Sequence, residues 1–183
     1  PFQVSTTSTS ADAITVFDLP GHGKLACICY RSGSTNYLKI FNVDNPASPQ
    51  LLDYLPLVPG SSGIRNITRF GELLYICQMY PGASADDVLI YDISDPESAT
   101  PAGGVNVADN SGVHDIEIVG NTLYLANRIG TDGQLLAYSL ADPGSPLLLD
   151  TVDIPYAPFR LSITGSLACV QSIRSMTVVD IGN

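Results

Sequence analysis

Residues 88–101 read VLIYDISDPESATP, an apolar run followed by a turn rich in Asp, Ser and Pro. Close variants occur as LKIFNVDNPASP at 38–49 and LLAYSLADPGSP at 135–146, and MTVVDIGN occupies 176–183. The first residues of the three full copies lie 50 and then 47 positions apart. A repeat of this period indicates an array of similar structural units, so each residue has to be interpreted by its position within the unit.

Each unit contains four short apolar runs, which in the third unit are HDIEIVG, TLYLANRI, QLLAYSLAD and PLLLDTVDIP. Alternating Val, Ile, Leu and Tyr, separated by Gly, Asn, Asp and Pro, is typical of β-strands joined by tight turns. No stretch shows helical periodicity over ten residues. Four strands per unit at this period predict an all-β fold, a β-propeller built from four-stranded antiparallel blades.

The repeat predicts a single propeller domain, 1–183, which divides into four blades. Blade 1 covers 11–63, blade 2 covers 64–112, blade 3 covers 113–157, and blade 4 covers 158–183 with only three strands. The segment 1–10 aligns with the missing strand, which predicts a four-bladed ring closed by the N-terminal strand. A segment of a larger propeller, with its function elsewhere, is the alternative.

The phrases VLIYDISDP (88–96) and GNTLYLA (120–126) resemble the LVIVD-repeat proteins. Blades 1 to 3 match this repeat over most of their length, although FDLPGHGKLACICY in blade 1 replaces the short Gly-Asn turn with a longer one. The resemblance implies a propeller that is exported or associated with the bacterial cell surface. It implies no particular activity, because a fold does not carry a function.

The net charge of −10 disfavours nucleic acid as a partner, since a phosphate backbone would repel the protein. No apolar run is long enough for a membrane helix, so membrane insertion is not expected. The four cysteines lack the CxxC spacing of a zinc site and are expected in the core. We therefore predict no metal and no cofactor.

The innermost strands of the blades begin at DAIT (12–15), RNIT (65–68), HDIE (114–117) and FRLS (159–162). Propellers commonly bind ligands at the mouth of the central channel, where these strands start. Because side chains alternate along a strand, the residues on either side of the Ile/Leu column share the opposite face. This predicts that polar groups converge near the channel, with Asn66, Thr68, Asp115, Glu117 and Arg160 lining it and Arg65 and His114 at its rim.

The loops between second and third strands add Arg31 and Arg128 to the same predicted face. One interpretation is a positive mouth that binds an anion through the planar guanidinium groups. The other is a set of Arg–carboxylate pairs that tie the blades together. The predicted ligand-binding residues are Arg31, Arg65, Asn66, Thr68, His114, Asp115, Arg128 and Arg160.

His114 lies beside Asp115 and close to Glu117, so it could act as a general base oriented by a carboxylate. A rim histidine that hydrogen-bonds a neighbouring loop is the alternative. We therefore expect a non-enzymatic binding module for a small anionic ligand or a protein partner. The rival hypothesis is a small hydrolase or lyase with catalytic His114, Asp115 and Glu117, in which the histidine and the carboxylates act either alone or by holding a metal ion.

Overall fold

The computed structural model describes residues 11–57, 63–81, 85–107 and 112–182. These residues form strands and turns and no helix, so none of them builds a helix that could span a membrane. The strands are β1 (Ala11–Leu19), β2 (Gly23–Ser32), β3 (Thr35–Asn42), β4 (Gln50–Pro56), β5 (Ile64–Phe70), β6 (Leu73–Gln78), β7 (Val88–Asp92), β8 (Thr100–Val105), β9 (Gly112–Val119), β10 (Thr122–Ile129), β11 (Asp132–Ser139), β12 (Leu147–Ile154), β13 (Pro158–Thr164), β14 (Leu167–Ser172) and β15 (Met176–Asp180).

Consecutive strands pair in antiparallel fashion into four separate sheets. Sheet A contains β1–β4, sheet B contains β5–β8, sheet C contains β9–β12, and sheet D contains β13–β15. The predicted all-β class is confirmed, and the meander of each sheet follows from short loops that leave neighbouring strands no route except a hairpin. The predicted fourth strand of the last blade, residues 1–10, lies outside the described residues.

The sheets stack face to face, and a hydrophobic core fills each junction. Leu38 and Ile40 of sheet A pack with Ile67 and Ile76 of sheet B. Equivalent clusters join sheet B to sheet C and sheet C to sheet D. Each sheet therefore has a preceding face, which meets the sheet before it, and a following face, which meets the sheet after it. Because both faces of each sheet carry apolar residues, the strand sequences are almost continuous hydrophobic runs.

Three of the four cysteines belong to these cores. Cys27, Cys29 and Cys77 are buried, and Cys169 is half-buried. Burial raises the pKa of the Cys27 thiol to about 12, which keeps it protonated and unreactive at neutral pH. The expectation that the cysteines are small core residues agrees with the positions of Cys27, Cys29 and Cys77 but not with that of Cys169.

The stack is not closed on itself among the described residues. Ile14, on the preceding face of sheet A, is 62% exposed, and Met176, on the following face of sheet D, is 69% exposed. Neither face is covered by the other. The described structure is thus a consecutive series of four sheets, and the closed ring stays a prediction.

Candidate functional site

The innermost strands of the four sheets bring their first residues together. β1, β5, β9 and β13 pack side by side in chain order. Their starts enclose a cavity of about 280 Å³, which we call the inner-strand cavity. It is lined by Ala11, Asp12, Ile64, Arg65, His114, Phe159 and Arg160. Three of the predicted ligand-binding residues, Arg65, His114 and Arg160, therefore line one cavity.

The two arginines of this cavity are not neutralised by a carboxylate within the described ranges. Arg65 directs its guanidinium at the Met79 thioether, with Nε and Nη2 3.0 and 2.7 Å from Sδ. Arg160 is exposed and makes no hydrogen bond or ion pair with any described residue. A thioether is only a weak acceptor, so both guanidinium groups retain their capacity to bind an anion.

His114 is 2% exposed, yet neither ring nitrogen has a hydrogen-bond partner among the described residues. The ring packs edge-on against Tyr80 and Phe159, with centroid distances of 6.0 and 5.4 Å. Burial, with smaller effects of Arg65 and Arg128, lowers the pKa of His114 to about 4. The imidazole is therefore neutral at physiological pH, with one unused N–H donor and one unused acceptor.

This low pKa predicts that the protein loses stability as the pH falls from about 6.5 to about 4. In that window the unfolded chain binds a proton at His114 and the folded chain does not, so protons favour unfolding. We expect His114→Phe, which keeps an aromatic ring between Tyr80 and Phe159, to remove about 1 to 3 kcal/mol of this pH dependence. Urea unfolding at a series of pH values measures the effect.

The second histidine provides the control. His22 lies in an exposed turn, so His22→Asn removes a histidine without changing the packing around His114. If His114→Phe and wild type lose stability in parallel between pH 6.5 and 4, the lowered pKa of His114 is wrong.

Asp115, Asn66 and Glu117 connect neighbouring sheets rather than standing in an open channel. Asn66 Nδ2 donates to Asp115 Oδ1 and to the Ile116 carbonyl, across the junction of sheets B and C. Asp115 Oδ2 accepts the Leu161 N–H at 2.9 Å, and Glu117 Oε2 accepts the Ile163 N–H at 2.9 Å. These contacts satisfy backbone donors on the inner edge of β13.

This arrangement bears on the catalytic hypothesis. Both carboxylate oxygens of Asp115 already accept hydrogen bonds. The donors are Asn66 Nδ2, the Leu161 N–H and the adjacent Ile116 N–H. It makes no hydrogen bond to His114, whose nitrogens are unpartnered among the described residues. Burial raises the pKa of Glu117, partly offset by its bond from Ile163. The described geometry therefore contains no histidine–carboxylate pair at this cavity.

Arg31 and Arg128 lie outside the inner-strand cavity. Each donates from Nε to a glycine carbonyl two residues on, Gly33 at 3.1 Å and Gly130 at 2.8 Å. Arg128 also donates to the Tyr80 hydroxyl at 2.7 Å. Both arginines thus brace hairpin turns, and the inner-strand cavity does not include them. Thr68 is half-buried on the Asn66 face of β5 and also lies outside the cavity lining.

A second cleft, of about 350 Å³, adjoins the inner-strand cavity and shares Phe159 with it. It includes Tyr156 and Arg174, with the guanidinium carbon of Arg174 5.9 Å from the ring centroid of Tyr156.

Tyr156 and Tyr80 adopt positive φ values of 68° and 51°. The positive φ of Tyr80 was not predictable from the sequence, because a residue that precedes proline is expected to be extended.

Within the described ranges, no group of three His, Cys, Asp or Glu side chains is arranged to hold a metal ion. The polar side chains that line the inner-strand cavity are those of Asp12, Arg65, His114 and Arg160.

The fold is similar to solved structures at low sequence identity. The periplasmic gluconolactonase PpgL of Pseudomonas aeruginosa superposes with a TM-score of 0.71 at 15% identity, covering 94% of this chain and 50% of that one. A functionally unknown protein of Desulfotomaculum acetoxidans gives 0.66 at 16% identity, covering 97% and 53%. Saccharomyces cerevisiae Sqt1 gives 0.66 at 15%, covering 94% and 45%.

No family model and no curated protein matches the sequence, so the LVIVD resemblance stays a prediction. The chain spans about half the length of the solved structures that it matches. At these identities the likeness concerns the fold alone. Four antiparallel sheets in series and these superpositions identify a β-propeller-like repeat fold.

Proposed function

We propose that the chain is a non-enzymatic binding module that takes a small anionic ligand in the inner-strand cavity. One observation carries the proposal: Arg65 and Arg160 line a cavity without a carboxylate partner in the described structure, beside an imidazole with no hydrogen bond. Buried or converging polar groups normally have hydrogen-bond partners. Groups in a cavity that lack them therefore favour a ligand that supplies these partners.

The electrostatics of the cavity support an anion in particular. The protein carries a net charge of −10, yet this cavity combines two arginines with a single carboxylate, that of Asp12. Asp12 is directed at the neighbouring strand, where its Oδ2 lies 3.5 Å from the Ile64 nitrogen. A carboxylate or phosphate could accept from both guanidinium groups and from the neutral His114 N–H. The cavity volume suits a compact ion with few heavy atoms.

Arg160→Gln is expected to weaken the binding of a compact anion such as citrate or phosphate at least tenfold. The substitution removes the charge and the paired donors, and one hydrogen bond to a charged group is worth about 1.5 to 3 kcal/mol. Isothermal titration calorimetry at low ionic strength measures the change. Since Arg160 is exposed and unpartnered in the described structure, its replacement should leave the melting temperature of the unliganded protein unchanged.

Arg31→Gln is the matched control, because it removes one arginine from a turn away from the cavity. Equal affinities for Arg160→Gln and wild type, or an equal loss in Arg31→Gln, would reject the inner-strand cavity as the anion site. The absence of any measurable binding of citrate or phosphate would reject the proposal for these compact anions.

The rival function is a hydrolase or lyase with His114 as general base. The lowered pKa keeps the imidazole unprotonated at neutral pH, as a base requires, but also makes it a weak proton acceptor. Asp115 is engaged in the junction between sheets, which leaves His114 without an orienting carboxylate. These observations favour binding over catalysis. A hydrolase panel on wild type and His114→Ala tests the rival, which requires that any activity disappear in the variant.

An exported location belongs to the same proposal. It is supported by the repeat resemblance and by the periplasmic designation of one structural neighbour. A protein partner on the same face is the alternative occupant, whereas the acidic net charge disfavours nucleic acid.

A further inference from the structure

The innermost strands β1, β5, β9 and β13 share one irregularity near their starts. In each of them the pairing register with the second strand of the sheet shifts, which leaves one bulged residue outside the pairing. The bulged residues are Asp12, Arg65, His114 and Phe159. A β-bulge redirects the side chain that it carries, and all four of these side chains line the inner-strand cavity. The repeat therefore places one residue per sheet, different in each sheet, at the same cavity.

Phe159 is the bulged residue that is not polar. Its ring is 37% exposed and packs against the His114 imidazole at a centroid distance of 5.4 Å. Phe159 lines both the inner-strand cavity and the second cleft, and Arg160 follows it directly in the chain. An anion bound by Arg160 would therefore lie beside an aromatic wall that continues into the second cleft.

The second cleft differs in character from the inner-strand cavity. Thr131 and Asp132 lie in its lining at the exposed tip of the β10–β11 hairpin. The rest of the lining is aromatic, aliphatic or arginine: Arg128, Tyr156, Ala157, Phe159, Ile173 and Arg174. Arg128 already donates two hydrogen bonds, and the guanidinium of Arg174 lies over the Tyr156 ring. Rings and guanidinium groups both attract an aromatic ring, so this lining suits an aromatic group.

The loop that carries Tyr156 is held from two sides. The Ala157 N–H donates to the Thr131 carbonyl of sheet C at 2.8 Å, and the Ser172 hydroxyl of sheet D donates to the Tyr156 carbonyl at 3.2 Å. Between these bonds Tyr156 keeps a φ of 68°, which a residue other than glycine rarely adopts. Strained backbone of this kind concentrates at ligand sites, and here it fixes the wall of the second cleft.

We propose that the ligand is an aryl carboxylate, with its carboxylate bound by Arg65 and Arg160 and its ring held against Phe159 and Tyr156 in the second cleft. This inference rests on the proposed function, because the carboxylate is the anion of the inner-strand cavity. The charged end meets guanidinium groups that no carboxylate neutralises within the described ranges. Since the two cavities share Phe159, one molecule can occupy both.

Isothermal titration calorimetry at low ionic strength tests the inference with 2-naphthoate, its saturated analogue decahydro-2-naphthoate, and acetate measured by competition. We expect 2-naphthoate to bind about tenfold more tightly than acetate, and also more tightly than the saturated analogue, because aromatic contacts add to apolar burial. Phe159→Ala and Tyr156→Gly should each reduce the preference for 2-naphthoate over acetate by about threefold. Glycine readily adopts the positive φ of position 156, so Tyr156→Gly should fold.

Tyr54→Ala is the matched control, because Tyr54 is a 49% exposed tyrosine on β4 that lines neither cavity. It should keep the wild-type preference, and Arg160→Gln should weaken the binding of 2-naphthoate. The aryl carboxylate is wrong if 2-naphthoate binds no more tightly than acetate or the saturated analogue, or if its affinity is unchanged in Arg160→Gln. An unchanged preference in both Phe159→Ala and Tyr156→Gly, or an equal loss in Tyr54→Ala, would also overturn it. Binding of phosphate or citrate would in these cases still support the proposed function, whereas no binding of any of these anions would reject both.

Discussion

Asp115→Ala is expected to lower the free energy of unfolding by about 4 kcal/mol, a large part of the roughly 5 to 15 kcal/mol that stabilises a domain. Asp115 is 4% exposed and lies where three sheets meet. Its Oδ1 accepts from Asn66 of sheet B, and its Oδ2 accepts from the Leu161 N–H of sheet D. Alanine would leave the buried Leu161 N–H without an acceptor and would leave Asn66 Nδ2 with the Ile116 carbonyl alone.

The reason for the size of this effect lies in the edges of the inner strands. β13 pairs with β14 on one side only, so its other edge presents backbone N–H groups. Asp115 and Glu117 accept two of them, at Leu161 and Ile163. An exposed strand edge would otherwise be a site of uncontrolled pairing. Acidic side chains from the preceding sheet cover this edge with charge-assisted hydrogen bonds, which are stronger than neutral ones.

Equilibrium urea unfolding at pH 7 measures the loss. Asp115→Asn keeps one oxygen but turns an NH₂ group toward a donor, so we expect an intermediate loss of about 2 kcal/mol. Asp150→Ala is the matched control, since Asp150 is exposed on β12 and, within the part of the chain that the structure describes, accepts only from the adjacent Thr151 N–H. If Asp115→Ala and Asp150→Ala unfold at the same urea concentration, the bridge between sheets contributes little.

The arrangement of strands was predictable because the repeat carries it. The alternation around Ile67 and Ile116 places these residues in the cores between sheets. Local periodicity determines which side chains share a face. It therefore also predicted that Asn66, Asp115 and Glu117 lie together, opposite the isoleucines.

The roles of those polar residues were not predictable, because they depend on the distance between sheets. The sequence indicates the face of Asp115 but not that a backbone N–H of Leu161 lies 2.9 Å from its carboxylate. The same holds for His114, whose unpartnered nitrogens follow from packing against Tyr80 and Phe159. Tertiary contacts between repeats, unlike the repeat itself, leave no periodic signal.

Gly103 takes part in another tertiary contact between repeats. Its replacement is expected to cause the second-largest loss in the free energy of unfolding. Gly103 lies on β8, the outer strand of sheet B, where glycine would ordinarily weaken a strand. A Cβ built at this position would lie 1.9 Å from the Gly144 carbonyl oxygen in the turn before β12. The backbones of sheets B and C thus touch, and only a residue without a side chain fits between them.

The turn that carries Gly144 is held in place independently. The Tyr75 hydroxyl donates to the Pro143 carbonyl at 2.7 Å, so this turn cannot move away from sheet B without losing a hydrogen bond. We therefore expect Gly103→Ala to cost about 3 kcal/mol, the upper part of the range for overpacking at a close contact. The loss should appear as a lower urea midpoint with an unchanged slope.

Gly104→Ala separates this steric effect from the general effect of replacing a strand glycine. Its Cβ would also meet a neighbour, the half-buried Asp86 side chain, whose carboxylate can rotate away and whose Cβ lies 2.9 Å from the added atom. We expect a loss of about 1 kcal/mol for Gly104→Ala, because the backbone has to shift by only a few tenths of an ångström. Similar losses for the two variants would mean that the turn at Gly144 yields easily, and that the junction of sheets B and C rests on the apolar core alone.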